Sequence, residues 1–184
     1  MNGIDNNKNI RSAFELINLF DKNGFEAYLV GGSVRDILTR DLSNNPDIDI
    51  TTNATPEQII DLSNKNNIEW FQEGKNGRNY GTVNVMYNNI HMQVTPFRTD
   101  ENYDGRHCEC KFVKTLKEDL NRRDFTINAI ALDKNGYPID YFCGIRDISF
   151  GLIRSIEEPE ITYQRDQLRA MRAIRFATTK KKFI

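Results

Sequence analysis

The order of apolar and polar positions predicts alternating helices and strands in the first third of the chain. Apolar residues recur at helical spacing from Ile10 to Phe20, and Gly24 follows as a stop signal, which predicts an opening amphipathic helix. The apolar run at 27–30 predicts a buried strand that leads into two glycines. Thr55–Gln58 places a Thr N-cap, a Pro at the first helical position and a Gln in a capping box, so we expect a helix over 56–65.

Strand signals dominate the middle of the chain. Apolar and polar residues alternate over 81–87 and again over 90–95, on either side of Asn88–Asn89. This pattern predicts a hairpin that adds strands beside a further strand at 47–50. Residues 98–110 are polar and contain glycine, so we expect a mobile loop near the candidate site.

Shorter elements follow, and the last part of the chain has a helical pattern. We expect a strand at 109–113, a short helix at 116–120, a tight turn at Asn135–Gly136 and a strand at 138–142. From Thr162 onward an apolar face and an arginine face recur at helical spacing. The apolar face consists of Leu168, Met171, Ile174 and Ala177, and the arginine face of Arg165, Arg169 and Arg172. Interspersed strands and helices that end in helix predict an α+β domain with a helical extension.

Two glycines and a serine follow the predicted strand at 27–30. Glycine lets the backbone approach a ligand closely, and we expect Ser33 to be the N-cap of a helix that runs from Val34 to Thr39. The free backbone N–H groups of residues 31–34 would then face an anion at the positive end of that helix. A glycine pair after a strand is by itself more often a structural turn. The nearby carboxylates described next favour a phosphate-binding turn for Gly31, Gly32 and Ser33.

Asp47 and Asp49 are two residues apart on a predicted strand, so their side chains share one face while Ile48 and Ile50 point into the core. Two carboxylates on one face offer the hard oxygen ligands that suit Mg²⁺. Such a site can hold two metal ions that clamp the attacking and leaving oxygens of a phosphoryl displacement. An isolated Asp-x-Asp is more often a solvated strand edge or turn, but this one follows the glycine turn. Together, the two features predict nucleotidyl transfer.

Composition is ordinary for a folded domain. The 184 residues are 39% hydrophobic and 28% charged, and no apolar run reaches the roughly 18 residues of a membrane span. No secretory signal is visible, so we expect a cytoplasmic location and no membrane partner. The three cysteines Cys108, Cys110 and Cys143 lack zinc-type pairing, so we expect reduced thiols. The formal net charge of −1 argues against binding of nucleic acid through overall basicity, which restricts RNA contacts to local basic faces.

Six short motifs resemble, in their order, those of the class II CCA-adding tRNA nucleotidyltransferases and bacterial poly(A) polymerases. They are Gly-Gly-Ser-Val-Arg-Asp at 31–36, Asp-Ile-Asp at 47–49, Val-Thr-Pro-Phe-Arg at 94–98, Asp-Gly-Arg at 104–106, Arg-Arg-Asp-Phe-Thr-Ile-Asn-Ala at 122–129 and the segment 166–177. The resemblance implies a polymerase-β-like nucleotidyltransferase head, with a mixed or antiparallel sheet flanked by helices, and then the first helix or helices of an all-α neck. We expect the head at 1–143 and the hinge with the start of the neck at 144–184.

The same resemblance assigns roles to matched residues. It places Asp47 and Asp49 at the metal, and Arg122, Arg123 and Asp124 at the ribose and triphosphate. Guanidinium groups suit phosphate oxygens, and a carboxylate can accept hydrogen bonds from ribose hydroxyls. The remaining nucleotide-binding residues that it implies are Gly31, Gly32, Ser33, Arg35, Asn128, Asp166, Arg169, Arg172 and Arg175.

Asp166 and Arg169 match the family's pair that reads the Watson–Crick edge of the incoming base. Aspartate accepts from an exocyclic amine and arginine donates to ring and carbonyl acceptors, which favours cytosine and adenine over uracil and guanine. The resemblance therefore implies CTP and ATP as substrates, Mg²⁺ as cofactor and the 3′ end of tRNA or another RNA as acceptor. The acceptor 3′ hydroxyl would attack the α-phosphorus and release pyrophosphate.

The chain departs from the family pattern at four places. Gln93 stands where a third acidic residue is common, and a neutral amide binds Mg²⁺ less strongly. Arg165 replaces a common Glu beside Asp166, and His107 with Cys108 replaces a common Arg-Pro. The sequence given stops at Ile184, where the family continues into the helices that grip tRNA, so we expect RNA binding to need further sequence.

Two other functions stay open on the sequence. A poly(A) polymerase has almost the same head motifs and would use ATP alone. A non-catalytic nucleotide-binding fragment is suggested by Gln93, Arg165 and the missing helices, and it would bind nucleotides without transferring them. CCA addition is the function that we favour.

Overall fold

The computed structural model describes residues 7–41, 46–72, 80–101 and 109–179. The helices are α1 (Lys8–Lys22), α2 (Gly32–Thr39), α3 (Pro56–Lys65), α4 (Leu116–Asn121), a short 3₁₀ turn (Thr126–Asn128), α5 (Gly144–Phe150), α6 (Pro159–Arg165) and α7 (Leu168–Thr179). The strands are β1 (Ala27–Val30), β2 (Ile48–Thr52), β3 (Glu69–Phe71), β4 (Val83–Tyr87), β5 (Ile90–Pro96), β6 (Arg98–Glu101), β7 (Glu109–Phe112), β8 (Ile130–Leu132) and β9 (Pro138–Asp140). This is the α+β fold that the sequence predicts.

Seven strands form one mixed sheet in the order β3-β4-β5-β2-β1-β8-β9. All neighbours pair antiparallel except β2 and β5, which run parallel with Asp49 beside Gln93. The predicted hairpin of β4 and β5 is confirmed, and it lies beside the strand of Asp49, as expected. The sheet therefore places the residue at position 93 next to the candidate metal ligand.

The hydrophobic core lies on both faces of the sheet. On one face Leu16 and Phe20 of α1 pack with Ile50 of β2 in a large buried cluster. On the other face Leu120 of α4 packs with Phe97 and residues of β1 and β8. Burial of each such side chain contributes about 1.5–3 kcal/mol, so the two clusters fix the sheet between its helices.

One predicted helix start is confirmed and one is wrong. The capping box of α3 is present, because Thr55 accepts from the backbone N–H of Gln58 and the Gln58 side chain accepts from the N–H of Thr55. Ser33, however, is not the N-cap of α2. Gly31 holds that position with a φ of 78°, and the Ser33 hydroxyl donates to the carbonyl of Val30 instead.

The segment 98–110 was predicted as a mobile loop, and this is wrong at both of its ends. Strands β6 and β7 pair antiparallel there, with Arg98 opposite Phe112 and Glu101 opposite Glu109. The backbone hydrogen bonds of this small second sheet hold Arg98 beside the candidate site. Residues 102–108, which include the Asp-Gly-Arg motif, His107 and Cys108, lie outside the described residues.

The helical pattern predicted from Thr162 onward belongs to two helices. Helix α6 begins at Pro159, the chain leaves the helix at Asp166, and α7 begins at Leu168, whose backbone N–H donates to the Asp166 side chain. The two faces of α7 are also placed unexpectedly. Arg169 and Phe176 are buried, whereas the apolar residues Leu168, Met171 and Ile174 are exposed.

The chain is tightly packed around Gly144, where the sequence predicts the boundary between head and neck. The Asp140 side chain accepts from the backbone N–H groups of Gly144 and Ile145 at the start of α5. A Cβ at Gly144 would lie 2.2 Å from the carbonyl oxygen of Thr126, so glycine is needed there for close approach. The boundary at 143/144 stays a prediction.

Among the described residues, no helix combines the length and the apolar character of a membrane span.

Candidate active site

The glycine turn lies directly against a carboxylate. Gly31 adopts a positive φ of 78°, and a Cβ added there would lie 3.0 Å from Oδ2 of Asp49 and 3.7 Å from a terminal nitrogen of Arg123. The turn after β1 and the strand β2 therefore meet without a side chain between them. This arrangement leaves the backbone of Gly31 and Gly32 open to a cleft that both residues line.

Asp49 is a half-buried carboxylate between two clefts. Burial raises the pKa of its carboxyl above the ordinary value of 3.8, and the charge of Asp47 raises it further, against the lowering effect of Arg123. No described residue donates a hydrogen bond to this carboxylate. A buried carboxylate without such a partner is well suited to a cation.

The oxygen donors around Asp49 fit a magnesium site. Asp47 is exposed just before β2, and Gln93 is the register partner of Asp49 on β5, so their side chains emerge on the same side of the sheet. Asp47 and Gln93 also line the second cleft with Asp49. Among the described residues no group of three acidic, histidine or cysteine side chains is assembled. A site of two carboxylates is nevertheless the usual protein share for Mg²⁺ that also binds substrate phosphates.

Arg122 and Arg123 are held by one buried carboxylate. Asp119 is fully buried and accepts from Arg122 at 3.0 Å and from Arg123 at 3.2 Å. Burial would raise the pKa of the Asp119 carboxyl, but the charges of the two arginines outweigh it and hold the pKa below its ordinary value. Asp119 therefore stays ionised and keeps both guanidinium groups in place.

A second group of charges lines the same cleft. Arg172 of α7 bridges Asp124 at 3.2 Å and Asp166 at 3.3 Å. Arg169 lies 3.9 Å from Asp166 and donates to the backbone carbonyl of Arg122. The pair predicted to read the base is thus brought together and joined to the backbone of Arg122.

Arg35 and Asn128 also line the cleft, and a hydrogen bond joins their side chains. Arg35 is buried, donates to the Asn128 side chain at 2.7 Å and lies over the ring of Phe176 at 4.9 Å. The Asn128 amide in turn donates to Asp124. The network fixes both side chains before any ligand arrives.

The glycine turn, Asp49, the arginines and the carboxylates that Arg172 bridges line one cleft of about 560 Å³. Its lining includes seven arginines and four aspartates, a cationic excess that suits a polyphosphate. The Nε atoms of Arg98 and Arg123 are buried and find no hydrogen-bond partner among the described residues. The sequence-predicted residues in the lining are Gly31, Gly32, Arg35, Asp49, Arg122, Arg123, Asp124, Asn128, Asp166, Arg169, Arg172 and Arg175.

Some predicted and lining residues do not coincide. Ser33 does not line the cleft, because its hydroxyl turns to the Val30 carbonyl. Tyr80, Arg98, Asp100 and Phe176 line the cleft and were not predicted as site residues. Arg98 lies over the Tyr80 ring at 4.5 Å. Its position at the end of the Val-Thr-Pro-Phe-Arg motif was the one sequence signal for it.

Sequence comparison places this chain beside known proteins. The family model described as the poly A polymerase head domain matches residues 27–154. The CCA-adding enzyme of Lactobacillus helveticus is 42% identical over 171 residues, which cover 92% of this chain and 41% of that protein. The CCA-adding enzyme of Enterococcus faecalis is 44% identical over 172 residues, which cover 91% of this chain and 40% of that protein. The chain thus spans about two fifths of the length of these relatives.

Solved structures of CCA-adding enzymes are similar to this chain as well. The Bacillus stearothermophilus CCA-adding enzyme in complex with CTP superposes with a TM-score of 0.80 at 37% identity, over 92% of this chain and 39% of that one. The Thermotoga maritima CCA-adding enzyme complexed with tRNA superposes with a TM-score of 0.70 at 28% identity, over 91% of this chain and 37% of that one. The likeness extends over nearly all of this chain.

Proposed function

Since this chain belongs to the poly A polymerase head domain family, we propose that it is the nucleotidyltransferase head of a CCA-adding enzyme. It transfers CMP and AMP from CTP and ATP to the 3′ end of a tRNA and releases pyrophosphate. The observation that carries the proposal is one cleft that brings carboxylates and arginines together. Asp49 lies there beside the glycine turn and Arg123, and Asp124 and Asp166 lie there bridged by Arg172.

These groups suit the chemical parts of a nucleoside triphosphate. The arginines bind the triphosphate by charge-assisted hydrogen bonds. Asp124 accepts from the ribose hydroxyls. Asp166 accepts from the exocyclic amine of cytosine or adenine, and Arg169 donates to the ring and carbonyl acceptors. The other residues proposed to bind nucleotide are Gly31, Gly32, Arg35, Asn128, Arg172 and Arg175.

The base-reading role of Asp166 has support in its present contact. An N–H of Arg172 donates to Oδ2 of Asp166 at 3.3 Å, so this oxygen faces a nitrogen donor inside the cleft. An exocyclic amine would take the place of that guanidinium N–H. Uracil and guanine present a carbonyl at the corresponding place, which would leave Asp166 without a donor and would repel its charge.

Asp47 and Asp49 would hold Mg²⁺, with the Gln93 amide oxygen beside them. When bound, the metal supplies positive charge to the α-phosphate and lowers the pKa of the attacking hydroxyl. The residues of the chain contribute position and charge. The glycine turn lets phosphate approach Asp49, and the arginines neutralise the charge that develops on the leaving pyrophosphate.

The RNA end would enter from the second cleft. This cleft, of about 500 Å³, is lined by Asp47, Gln93 and Asp49, and Asp49 is shared with the nucleotide cleft. In an in-line displacement the attacking hydroxyl stands opposite the leaving group. A triphosphate bound by Arg122 and Arg123 therefore leaves the side of Asp47 for the acceptor.

A transfer assay tests this function. The chain is incubated with Mg²⁺, radiolabelled CTP or ATP and a high concentration of a tRNA that lacks its 3′ CCA, because the chain spans only about two fifths of the length of its relatives, and labelled RNA is quantified. We expect CMP and then AMP to be added, and we expect Asp47→Ala or Asp49→Ala to abolish the addition without unfolding the protein. Transfer retained in either variant would refute the assignment of the metal ligands.

A further inference from the structure

We propose that Asp119 is a positioning residue for nucleotidyl transfer, which fixes the triphosphate-binding arginines relative to the strand of the metal-binding carboxylates. The proposal rests on the function proposed above and names a residue outside its ligand set. Asp119 does not line the cleft. It acts through the groups that do.

Both oxygens of the Asp119 carboxylate accept hydrogen bonds. Oδ1 accepts from Arg122 and from the backbone N–H of Arg98 at 3.3 Å. Oδ2 accepts from Arg123 at 3.2 Å and from the hydroxyl of Thr51 at 3.2 Å. Four donors, from β2, from β6 and from the segment after α4, therefore converge on one side chain that is 0% exposed.

The Thr51 contact links this side chain to the metal site. Thr51 and Asp49 are two residues apart on β2, so their side chains emerge on the same face of the sheet. The opposite side of the Arg123 guanidinium faces the glycine turn, because its second terminal nitrogen lies 3.7 Å from the place of a Cβ on Gly31. Asp119 thus sets the spacing between Asp49 and the guanidinium beside it.

Stability alone is a weak reason for this arrangement. Well-packed apolar side chains often replace a buried ion pair with no loss of stability, so a buried carboxylate with two arginines is better explained by what the arginines do. Without the charge of Asp119, the neighbouring carboxylate for Arg123 is Asp49, since both side chains lie against Gly31. Arg123 would then move toward the metal ligand and away from the triphosphate.

The test compares the binding of CTP and CMP, with Mg²⁺, to the wild-type chain and to Asp119→Asn by calorimetry. The arginines that Asp119 holds are those proposed to bind the triphosphate, and CMP lacks the β- and γ-phosphates. We therefore expect CTP to bind about tenfold more weakly to the variant while the affinity for CMP changes less than about twofold. Glu118→Gln is the matched control, because Glu118 precedes Asp119 on α4 and is exposed. Its CTP and CMP affinities should equal those of the wild type.

A folded Asp119→Asn chain that binds CTP as tightly as the wild type, or that loses CTP and CMP equally, would overturn the positioning role. If the variant does not fold, Thr51→Val replaces it, since this change removes the hydroxyl that lies 3.2 Å from both Asp119 and the Thr95 carbonyl and removes no charge. It should weaken CTP binding about threefold and leave CMP unchanged, and an unchanged CTP affinity would overturn the proposal. A wild-type chain that does not bind CTP would instead refute the proposed function itself.

Discussion

The backbone of Gly31 lies directly against the carboxylate of Asp49. A Cβ at position 31 would stand 3.0 Å from Oδ2 of Asp49, and the positive φ of Gly31 already disfavours any other residue. The turn proposed to bind phosphate and the strand proposed to bind metal are therefore in contact through a glycine. The geometry of one cannot change without the other.

Replacement of Gly31 by Ala should displace the Asp49 carboxylate and reduce the rate of nucleotide transfer about 100-fold, because small misplacements of reacting groups are costly. Gly24→Ala is the control. Gly24 has a φ of 82° with nothing within 4 Å of an added Cβ, so this variant suffers backbone strain of about 1–2 kcal/mol without a clash. Steady-state kinetics and thermal unfolding of both variants check the prediction. Equal transfer rates in the two would contradict it.

Asp49→Asn should stabilise the fold while it abolishes transfer. Because burial raises the pKa of Asp49 above 3.8, the folded chain binds more protons than the unfolded chain between 3.8 and the raised pKa. Stability therefore falls as the pH rises through that window, and the loss persists at pH 7. Asparagine cannot ionise, so without Mg²⁺ we expect the melting temperature to rise by about 2 °C at pH 7.

The gain should disappear in acid, below both pKa values of Asp49. Asp61→Asn serves as a control at an exposed position on α3, and it should leave both stability and transfer unchanged. A lower melting temperature for Asp49→Asn at pH 7 would contradict the description of Asp49 as a destabilising buried charge.

Gln93→Asp should lower the Mg²⁺ concentration that gives half-maximal transfer by about threefold to tenfold, since it adds a third carboxylate beside Asp49. Gln93→Asn has the same length as Gln93→Asp and no charge, so it separates the effect of charge from that of shape. Magnesium titrations of the transfer rate measure the difference. Identical titration curves for the two variants would show that position 93 does not reach the metal.

Asp119→Asn should destabilise the fold at pH 7 by about 3 kcal/mol, because it leaves two buried arginines without their counter-charge. The arginines hold the pKa of the Asp119 carboxyl below 3.8, so its stabilising effect is present above that value and is lost as the pH falls through the lowered pKa. Urea unfolding at several pH values should show the difference between wild type and variant shrinking in acid. A difference that stays constant from neutral to acidic pH would contradict this explanation.

Local signals were sufficient to predict several elements from the sequence. The capping box at Thr55–Gln58, the helix over Ile10–Phe20 and the hairpin around Asn88–Asn89 depend on neighbouring residues alone, and all three are confirmed. The N-cap of α2 was predicted at the wrong residue. The Ser33 hydroxyl donates to the nearby carbonyl of Val30 instead of capping the helix, and Gly31 takes the N-cap position with a positive φ. Strand β7 was predicted, but its partner β6 was missed because polar sequence in a short two-stranded sheet lacks an alternating pattern.

The candidate site was predictable where a motif carried it, and less so where packing did. Asp49, Arg123 and Asp166 fall in motifs, and the structure gathers them along one cleft. Asp119 supports the site from a position outside the cleft, and its role depends on long-range contacts that no local pattern announces. The exposed apolar face of α7 likewise could not be predicted, because periodicity locates a face without saying which neighbour covers it.

The most direct test of the account is the binding of CTP, ATP, GTP and UTP to this chain with Mg²⁺, measured by calorimetry beside Asp166→Ala and the control Glu160→Ala, an exposed position on the preceding helix α6. We predict that the wild type and the control bind CTP and ATP at least about tenfold more tightly than GTP and UTP, and that Asp166→Ala loses this preference. Equal binding of all four nucleotides by the wild type, or a preference that survives in Asp166→Ala, would contradict it.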